Sequence, residues 1–343
     1  MGRFLRSSLQ KDSRLFANYA HRPHLPCDLS LVSGPCIWEQ EVRRALASAG
    51  VADLQAYALP PFDPELMDLL AAREGLPAAC LALAPGADLA IEAVLGRCLE
   101  AGDRLGILVP NFPRFRIVGA ALAGVEVVEF PSLAELPDDL RLVAVCTPNN
   151  PSTAEIPREE LAGAIAARPD TLFCIDGVFD WCGSYRLADL VREHDNVVVL
   201  KSFSKIGLAG LRLGYLAAQE PLVRDLGTAL SPFAVPRLVQ LVGREVARAF
   251  DRLAEFHALL DKRFAPVQAA LGDRVVRRAP VPFYLLETRG PATEAAAALA
   301  AAGISVVDGA HFAGLAPRRL RVAIGGAEDN GRLLAALDRL DLI

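Results

Sequence analysis

Two lysines lie four residues apart in the segment KSFSKIGLAGLRLGY, which covers residues 201–215, although the whole chain contains only four lysines. Lys205, in SFSK, follows the mainly apolar run NVVVLKS, a pattern that predicts a buried strand and places this lysine in the turn after it. An amine held among apolar groups and hydroxyls can lose its proton near neutral pH, as condensation with a carbonyl requires. The segment therefore predicts a nucleophilic Lys205, with an ordinary surface lysine as the alternative. Lys201 is predicted to be structural or to face solvent.

The side chains around Lys205 have the chemistry of a phosphate site. Arg212 lies seven residues beyond the lysine, and Ser202 and Ser204 supply hydroxyl groups beside it. An arginine fork combined with hydroxyl groups suits a phosphate monoester. The segment is therefore predicted to hold a phosphate close to the reactive amine.

A second phosphate cradle is predicted in the segment APGAD, residues 84–88. Here an apolar run ends, Gly86 allows a tight turn, and Ala87 and Asp88 begin a helical pattern. The free N–H groups at such a helix start favour an anion. Each cradle alone is more often a simple strand-to-helix connection, but together they would hold one phosphate from two sides.

Three further candidate side chains also follow predicted strands. Asp176 ends TLFCID, where a carboxylate is costly unless a positive group meets it; a pyridinium N–H, a helix cap or an arginine would serve. Phe112 in VPNFPRF could stack on an aromatic ring or pack in the core. Asn150 in TPNNPST could hydrogen-bond a phenolic oxygen or form a turn. Because ligands bind at the carboxyl ends of parallel strands, all these residues are expected to share one crevice.

Composition excludes several classes of function. The net charge of −5, without a basic stripe, argues against nucleic acid. No apolar run reaches the ~18 residues that a membrane span needs. The five scattered histidines form no metal motif, so no metal is expected. Seven cysteines without paired spacing indicate reduced thiols, and the N-terminus lacks the features of a secretion signal, which predicts a cytoplasmic protein with a small-molecule partner.

The alternation of short apolar runs with helical patterns predicts an α/β protein. Strands of Val, Ile and Leu without a polar face indicate a mainly parallel sheet covered by helices on both sides, a three-layer α/β/α domain. A smaller α+β unit follows, beginning with a long helix over residues 237–271. The predicted division is residues 1–35 as an N-terminal arm and loops, 36–235 as the large domain and 236–343 as the small domain.

The ordered set TPNNP, IDGVF, SFSK and GLAGLRLGY resembles the fold-type I aminotransferases that use pyridoxal phosphate. The histidinol-phosphate aminotransferase branch, which includes threonine-phosphate decarboxylases, is the most similar, and the resemblance covers about residues 55–340. An ordered set of motifs is far more specific than any one of them. The resemblance implies the large cofactor-binding domain of this fold type, with pyridoxal 5'-phosphate as cofactor.

The resemblance also implies roles for individual residues in binding the cofactor. Lys205 forms the Schiff base with the cofactor, Asp176 pairs with its pyridine nitrogen, Phe112 stacks on its ring and Asn150 bonds its 3-oxygen. The phosphate is held around Arg212. The complete implied cofactor site is Gly86, Ala87, Asp88, Phe112, Asn150, Asp176, Phe179, Ser202, Ser204, Lys205 and Arg212, with Tyr57.

Two residues outside the predicted crevice have implied roles as well. Tyr57, in LQAYALPPFDPEL, matches the tyrosine that in this family reaches the phosphate of the neighbouring subunit, which implies a homodimer with a shared active site. Arg321, in RRLRVAIG, matches the arginine that binds the substrate α-carboxylate bidentately.

Phe179 departs from the family, which usually has a tyrosine at that position to donate a hydrogen bond to the 3-oxygen. The family's substrate loop, N-x-N-P-x-G, is also not recognisable in CDLSLVSGPCIW. The leading hypothesis is an aminotransferase acting between an amino acid, or a similar amine, and a keto acid. The alternative is a pyridoxal phosphate-dependent decarboxylase or α-carbon lyase that resembles threonine-phosphate decarboxylase. A catalytically silent relative has little support, and a dehydrogenase lacks its glycine motif.

Overall fold

The structure is a computed structural model that describes residues 25–58, 60 and 62–343. Most of the predicted N-terminal arm, residues 1–24, lies outside these residues. The strands are β1 (Cys27–Asp28), β2 (Leu81–Ala84), β3 (Arg104–Leu108), β4 (Glu126–Phe130), β5 (Leu142–Cys146), β6 (Leu172–Asp176), β7 (Val197–Ser202), β8 (Gly214–Ala218), β9 (Val275–Val276), β10 (Phe283–Glu287), β11 (Ile304–Ser305), β12 (Val307–Asp308) and β13 (Arg319–Ala323).

The helices lie between these strands and at the C-terminal end of the described chain. They are α1 (Glu39–Ser48), α2 (Val51–Gln55), α3 (Pro64–Glu74), α4 (Ala87–Cys98), α5 (Arg114–Ala121), α6 (Arg158–Ala166), α7 (Ala188–Glu193), α8 (Glu220–Gly227), α9 (Arg237–Arg248), α10 (Leu253–Leu271), α11 (Ala292–Ala301) and α12 (Ala327–Arg339). Among the helices of the described part of the chain, none combines the length and apolar character needed to cross a membrane.

A seven-stranded sheet forms the centre of the large unit, in the order β2-β8-β7-β6-β5-β3-β4. In this sheet β8 runs antiparallel to β2 and β7, and the other neighbouring strands are paired in parallel. Alternate residues of β5 face opposite layers: Leu142 and Ala144 pack with α4, α5 and α8, whereas Val143 and Val145 pack with α6 and α7. Because both faces of the sheet are covered, its strands are apolar throughout. The prediction of a three-layer α/β fold with a mainly parallel sheet is confirmed.

The C-terminal part contains a four-stranded antiparallel sheet in the order β12-β13-β10-β9, together with α10, α11 and α12. Strand β1 lies in the segment predicted as arm and loops, and it pairs in parallel with β11. The N-terminal segment is thus attached to the C-terminal part. The domain boundaries at residues 35 and 235 remain predictions.

The single helix expected over residues 237–271 is wrong, because α9 and α10 are separated by a short 3-10 turn at Phe250–Arg252. The Phe250 ring packs against Trp181, with ring centroids 5.3 Å apart, and Arg252 forms an ion pair with Glu41 at 3.0 Å. These long-range contacts lie outside the helical pattern of the sequence. Tertiary packing therefore overrides local helix propensity at this position.

Candidate active site

A cleft opens where the carboxyl ends of β5, β6 and β7 meet the start of α4. Its wall is formed by Ala87, Asp88, Ile91, Phe112, Asn150, Asp176, Val178, Phe179, Ser202, Ser204, Lys205 and Arg212. Ten of these residues belong to the site predicted from the sequence. Ile91 and Val178 do not, because their apolar side chains carry no signal that separates a cleft wall from an ordinary core.

Lys205 is half-buried, and its amine lies inside this cleft. Its Nζ donates a hydrogen bond to the carbonyl oxygen of Val32 at 3.0 Å and lies 5.7 Å from the centroid of the Phe179 ring. Burial lowers the pKa of Lys205 to about 8; the positive charge of Arg321 lowers the pKa further, and the carboxylate of Asp176 opposes the shift. Such an amine is partly unprotonated near neutral pH, as a nucleophilic lysine must be.

The backbone around Lys205 is fixed by the only two tryptophans of the sequence. The indole N–H of Trp181 donates to the carbonyl oxygen of Ser202 at 2.8 Å, and that of Trp38 donates to the carbonyl oxygen of Ile206 at 2.6 Å. Gly207 then turns with φ +88°, and a Cβ there would lie 2.3 Å from the carbonyl oxygen of Pro35. This close approach requires glycine, and it packs the segment before α1 against the lysine turn.

Asp176 is buried at the end of β6, beside the lysine. Its Oδ1 accepts a hydrogen bond from the backbone N–H of Val178 at 3.2 Å. Burial raises the pKa of Asp176 to about 6, while the Val178 N–H and the charge of Lys205 partly offset that effect. A buried carboxylate with this much uncompensated charge fits a cationic N–H donor, which is the chemistry of a protonated pyridine nitrogen.

The residues predicted to hold a phosphate lie where α4 begins opposite Arg212. Gly86 has φ +85°, and a Cβ there would lie 2.8 Å from Arg212 Nη2, so the guanidinium lies directly over the turn. The hydroxyl groups of Ser202 and Ser204 are 2.9 Å apart on the adjoining turn. A guanidinium, hydroxyl groups and a helix N-terminus suit one phosphate. Asp88 adds no free negative charge, because it pairs with Arg114 at 3.1 Å.

Two asparagines for which the sequence predicted no role hold the loops of the cleft in place. Asn111 donates to the carbonyl oxygens of Leu108 and Ala144 at 3.0 and 3.2 Å, and its own oxygen accepts from the backbone of Phe112 at 2.7 Å. Asn149 donates to the carbonyl oxygen of Pro110 at 2.8 Å. The only sequence signal was their place in proline-containing turns after strands.

Arg321 lies outside the cleft wall but is bonded to it. This buried residue of β13 donates from Nη1 to Asn150 Oδ1 at 3.1 Å and from Nη2 to the carbonyl oxygen of Ser30. The first bond turns the oxygen of the Asn150 amide toward Arg321 and its NH₂ group away. The arginine therefore lies next to Asn150, and its charge reaches Lys205.

Tyr57 is not brought to the cleft of its own chain. Its side chain is 79% exposed, and its ring lies 5.0 Å from that of Phe233 on the outer surface. Of the predicted site residues, only Tyr57 and Arg321 stand apart from the cleft and its glycine turn.

A mainly parallel sheet with a half-buried lysine, a strand-end aspartate and a glycine turn beneath an arginine at its carboxyl edge fits a pyridoxal phosphate enzyme of fold type I. Residues 30–338 match the family described as aminotransferase class I and II. The chain belongs to this family. Membership confirms the predicted enzyme class, a pyridoxal phosphate-dependent aminotransferase, and its cofactor.

Individual relatives are similar over most of their length. The histidinol-phosphate aminotransferase of Symbiobacterium thermophilum is 32% identical over 317 residues, which cover 86% of this chain and 85% of that protein. The aromatic amino acid aminotransferase of Thermobifida fusca is 32% identical over 311 residues, 85% and 84% of the two chains. The structure of histidinol-phosphate aminotransferase from Sinorhizobium meliloti, in complex with pyridoxal 5'-phosphate, superposes with a TM-score of 0.81 at 21% identity, covering 99% and 98%. The predicted branch of the family is confirmed.

Proposed function

We propose that this aminotransferase moves an amino group between an α-amino acid and a keto acid, with Lys205 and Asp176 as its catalytic residues. The observation that carries the proposal is the half-buried Lys205, whose amine lies in the cleft and has a pKa of about 8, beside the buried Asp176 carboxylate. The cofactor, when bound, withdraws electrons from the substrate α-carbon.

Lys205 has two tasks in this proposal. Its unprotonated Nζ would hold the cofactor at the cofactor's carbonyl carbon, and the same amine, when free, would accept the proton from the substrate α-carbon. A pKa of about 8 suits both tasks, because the amine can accept and return a proton near neutral pH. Before the cofactor binds, the hydrogen bond to the carbonyl oxygen of Val32 holds the amine at the cleft.

Other residues of the chain bind and orient the reactants. Asp176 would keep a proton on the ring nitrogen of the cofactor, the NH₂ group of Asn150 would donate to the 3-oxygen attached to the ring, and Arg212 would bind its phosphate. Arg321 binds the substrate α-carboxylate. The Asn150 oxygen, 3.1 Å from Arg321 Nη1, fixes the guanidinium plane next to the residue that contacts the ring. A guanidinium held in one plane favours bidentate binding of a carboxylate.

The proposed donor class is tested by incubating the loaded enzyme with single amino donors, including histidinol phosphate and aromatic amino acids, because relatives carry those names. We expect at least one donor to yield its oxo product at one equivalent per active site, with the nitrogen then transferred to an added keto acid. The products are identified by mass, and Lys205→Ala serves as the inactive control.

The same assay separates transamination from the alternative, a decarboxylase or α-carbon lyase. That alternative is suggested by Phe179, which lines the cleft without the hydroxyl that the family usually has there. The names of the relatives favour transamination. Release of carbon dioxide without consumption of a keto acid would reverse this choice.

We further propose a homodimer in which Tyr57 of each subunit completes the partner's phosphate site. Tyr57 lies outside its own cleft and is exposed together with Val51, Leu54 and Phe233, an apolar group suited to contact with a second copy.

The cytoplasm is the proposed location, since all seven cysteines are free thiols and five are buried, as expected in a reducing compartment.

Mixing two inactive variants tests the shared site. A heterodimer of Tyr57→Ala with Lys205→Ala contains one site with both native residues, so random reassortment should restore about one active site in four. Each variant alone should stay weakly active or inactive. Verified heterodimers without recovered activity would contradict the shared site, and a monomeric mass in solution would exclude the dimer.

A further inference from the structure

We infer that a buried ion cluster behind the cleft, formed by Lys201, Glu74, Asp180 and Tyr215, positions Phe179 and Ser202 for the cofactor. The inference rests on the proposed function, because it concerns how the same cleft is shaped. In this role Lys201 and Asp180 are positioning residues that act through their neighbours.

The contacts of the cluster join four separate elements. Lys201, on β7, is 1% exposed, and its Nζ lies 3.3 Å from Glu74 Oε1 and forms an ion pair with Asp180. Glu74 is at the end of α3 and also accepts a hydrogen bond from the Tyr215 hydroxyl of β8 at 2.6 Å. Asp180 lies in the turn after β6. The four side chains thus connect a helix, two strands and a loop.

The cluster reaches the cleft through sequence neighbours on both of its sides. Asp180 directly follows Phe179, and Lys201 directly precedes Ser202; Phe179 and Ser202 both line the cleft. Trp181 strengthens the connection, because its indole N–H donates to the carbonyl oxygen of Ser202 at 2.8 Å. The turn after β6 and the turn after β7 are therefore held by a common anchor. Movement of Asp180 would shift the Phe179 ring on one side of the cleft and the Ser202 hydroxyl on the other.

The charges of the cluster make it a poor device for stability alone. Burial lowers the pKa of Lys201, but the carboxylates of Asp180 and Glu74 outweigh it and raise the pKa above its ordinary value, so the amine stays charged. Buried ion pairs often contribute no more stability than apolar residues of the same size, because desolvation offsets the attraction. A fixed geometry at the cleft is what the cluster supplies.

Lys201 is also excluded as a second nucleophile. It is absent from the cleft wall, and its pKa is raised, whereas Lys205 lies in the cleft and has a lowered pKa. The two lysines, four residues apart, therefore have opposite electrostatic environments and separate tasks. One supplies the reactive amine and the other supplies a permanent charge.

The test replaces Asp180 by asparagine and uses Glu41→Gln as the matched control. Both carboxylates are buried, with side chains 4% and 3% exposed, and both pair with cations, but Glu41 pairs with Arg44 and Arg252 away from the cleft. We expect Asp180→Asn to weaken binding of pyridoxal 5'-phosphate to the apoprotein about tenfold or more, and to alter the near-ultraviolet circular dichroism of Trp181. Both variants should lower the melting temperature by similar amounts. Only Glu41→Gln should leave the affinity for the cofactor unchanged.

The outcomes separate this inference from the proposed function. Wild-type cofactor affinity in folded Asp180→Asn, or an equal loss in Glu41→Gln, would overturn the positioning role. If Asp180→Asn does not fold, the variant Glu74→Gln/Asp180→Asn/Lys201→Met removes every charge of the cluster together. This triple variant should fold and still bind the cofactor weakly. Tight binding of the cofactor by the triple variant would also overturn the positioning role. Failure of the wild-type protein to bind the cofactor would instead contradict the proposed function.

Discussion

Replacement of Lys205 by alanine should lower kcat by about 10²–10⁴-fold, the range attributed to a positioned general base. Lys205 provides the one amine in the wall of the cleft, and no neighbouring side chain there can take over both covalent binding and proton transfer. The alanine variant should still fold, because the Nζ contact to Val32 is a single hydrogen bond. Steady-state rates with the best donor measure the effect, and Lys262→Ala, an exposed lysine on α10, is the control. Activity within a few fold of wild type would contradict the assignment.

The reactivity of the apoprotein should also identify Lys205. Because burial lowers its pKa to about 8, Lys205 should react with a carbonyl reagent half-maximally near that pH, whereas an exposed lysine requires a pH above about 10. Borohydride treatment of the loaded enzyme, followed by peptide mapping, should find the pyridoxyl group on Lys205. A label on another lysine would be incompatible with the proposed site.

Replacement of Asp176 by asparagine should make the apoprotein more stable and the enzyme far less active. The folded-state pKa of Asp176 is raised to about 6 from 3.8, so keeping this buried carboxylate ionised destabilises the folded state. This destabilisation of the folded state is fully present above about pH 6. It disappears below about pH 4, where the carboxyl is protonated in both the folded and the unfolded state. Above pH 6 we expect a gain of roughly 1–3 kcal/mol in unfolding free energy. Loss of the charge beside the ring nitrogen should lower kcat on the order of 10²–10³-fold.

Denaturant unfolding of the two apoproteins at pH 7.5 and at pH 4 measures this effect. The difference between them should be present at the higher pH and absent at the lower. Asp189→Asn is the control, since Asp189 is half-buried, pairs with Arg192 and is not part of the cleft wall. A less stable Asp176→Asn apoprotein at pH 7.5 would show that burial does not dominate the energetics of this carboxylate.

Much of the cleft could be predicted because its residues follow strands. Parallel strands present their carboxyl ends at one edge of a sheet, so the positions of Asn150, Asp176 and Lys205 in the sequence are enough to predict that they lie together. The chemistry of each side chain then narrows the range of ligands that the cleft can bind. Their arrangement in the fold follows from strand polarity, which a sequence pattern can indicate.

Other features depend on contacts that no local pattern contains. Lys201 meets Glu74 across 127 residues of sequence, and Arg321 meets the carbonyl of Ser30 across 291. The segment before α1 lacks the family's substrate-loop motif, yet its backbone binds both Lys205 and Arg321. The carbonyl oxygens of Val32 and Ser30 make the contacts to Lys205 and Arg321, and a backbone carbonyl is the same in every residue. For that reason the amino-acid types there carry no signal.

The two indoles beside the lysine turn have a practical consequence for measurement. Trp38 and Trp181 bond to the carbonyls on either side of Lys205, and the chain has no other tryptophan. Tryptophan fluorescence therefore originates entirely next to the reactive amine. A change in emission on adding cofactor or substrate reports directly on that turn, so binding can be followed in real time without an attached dye.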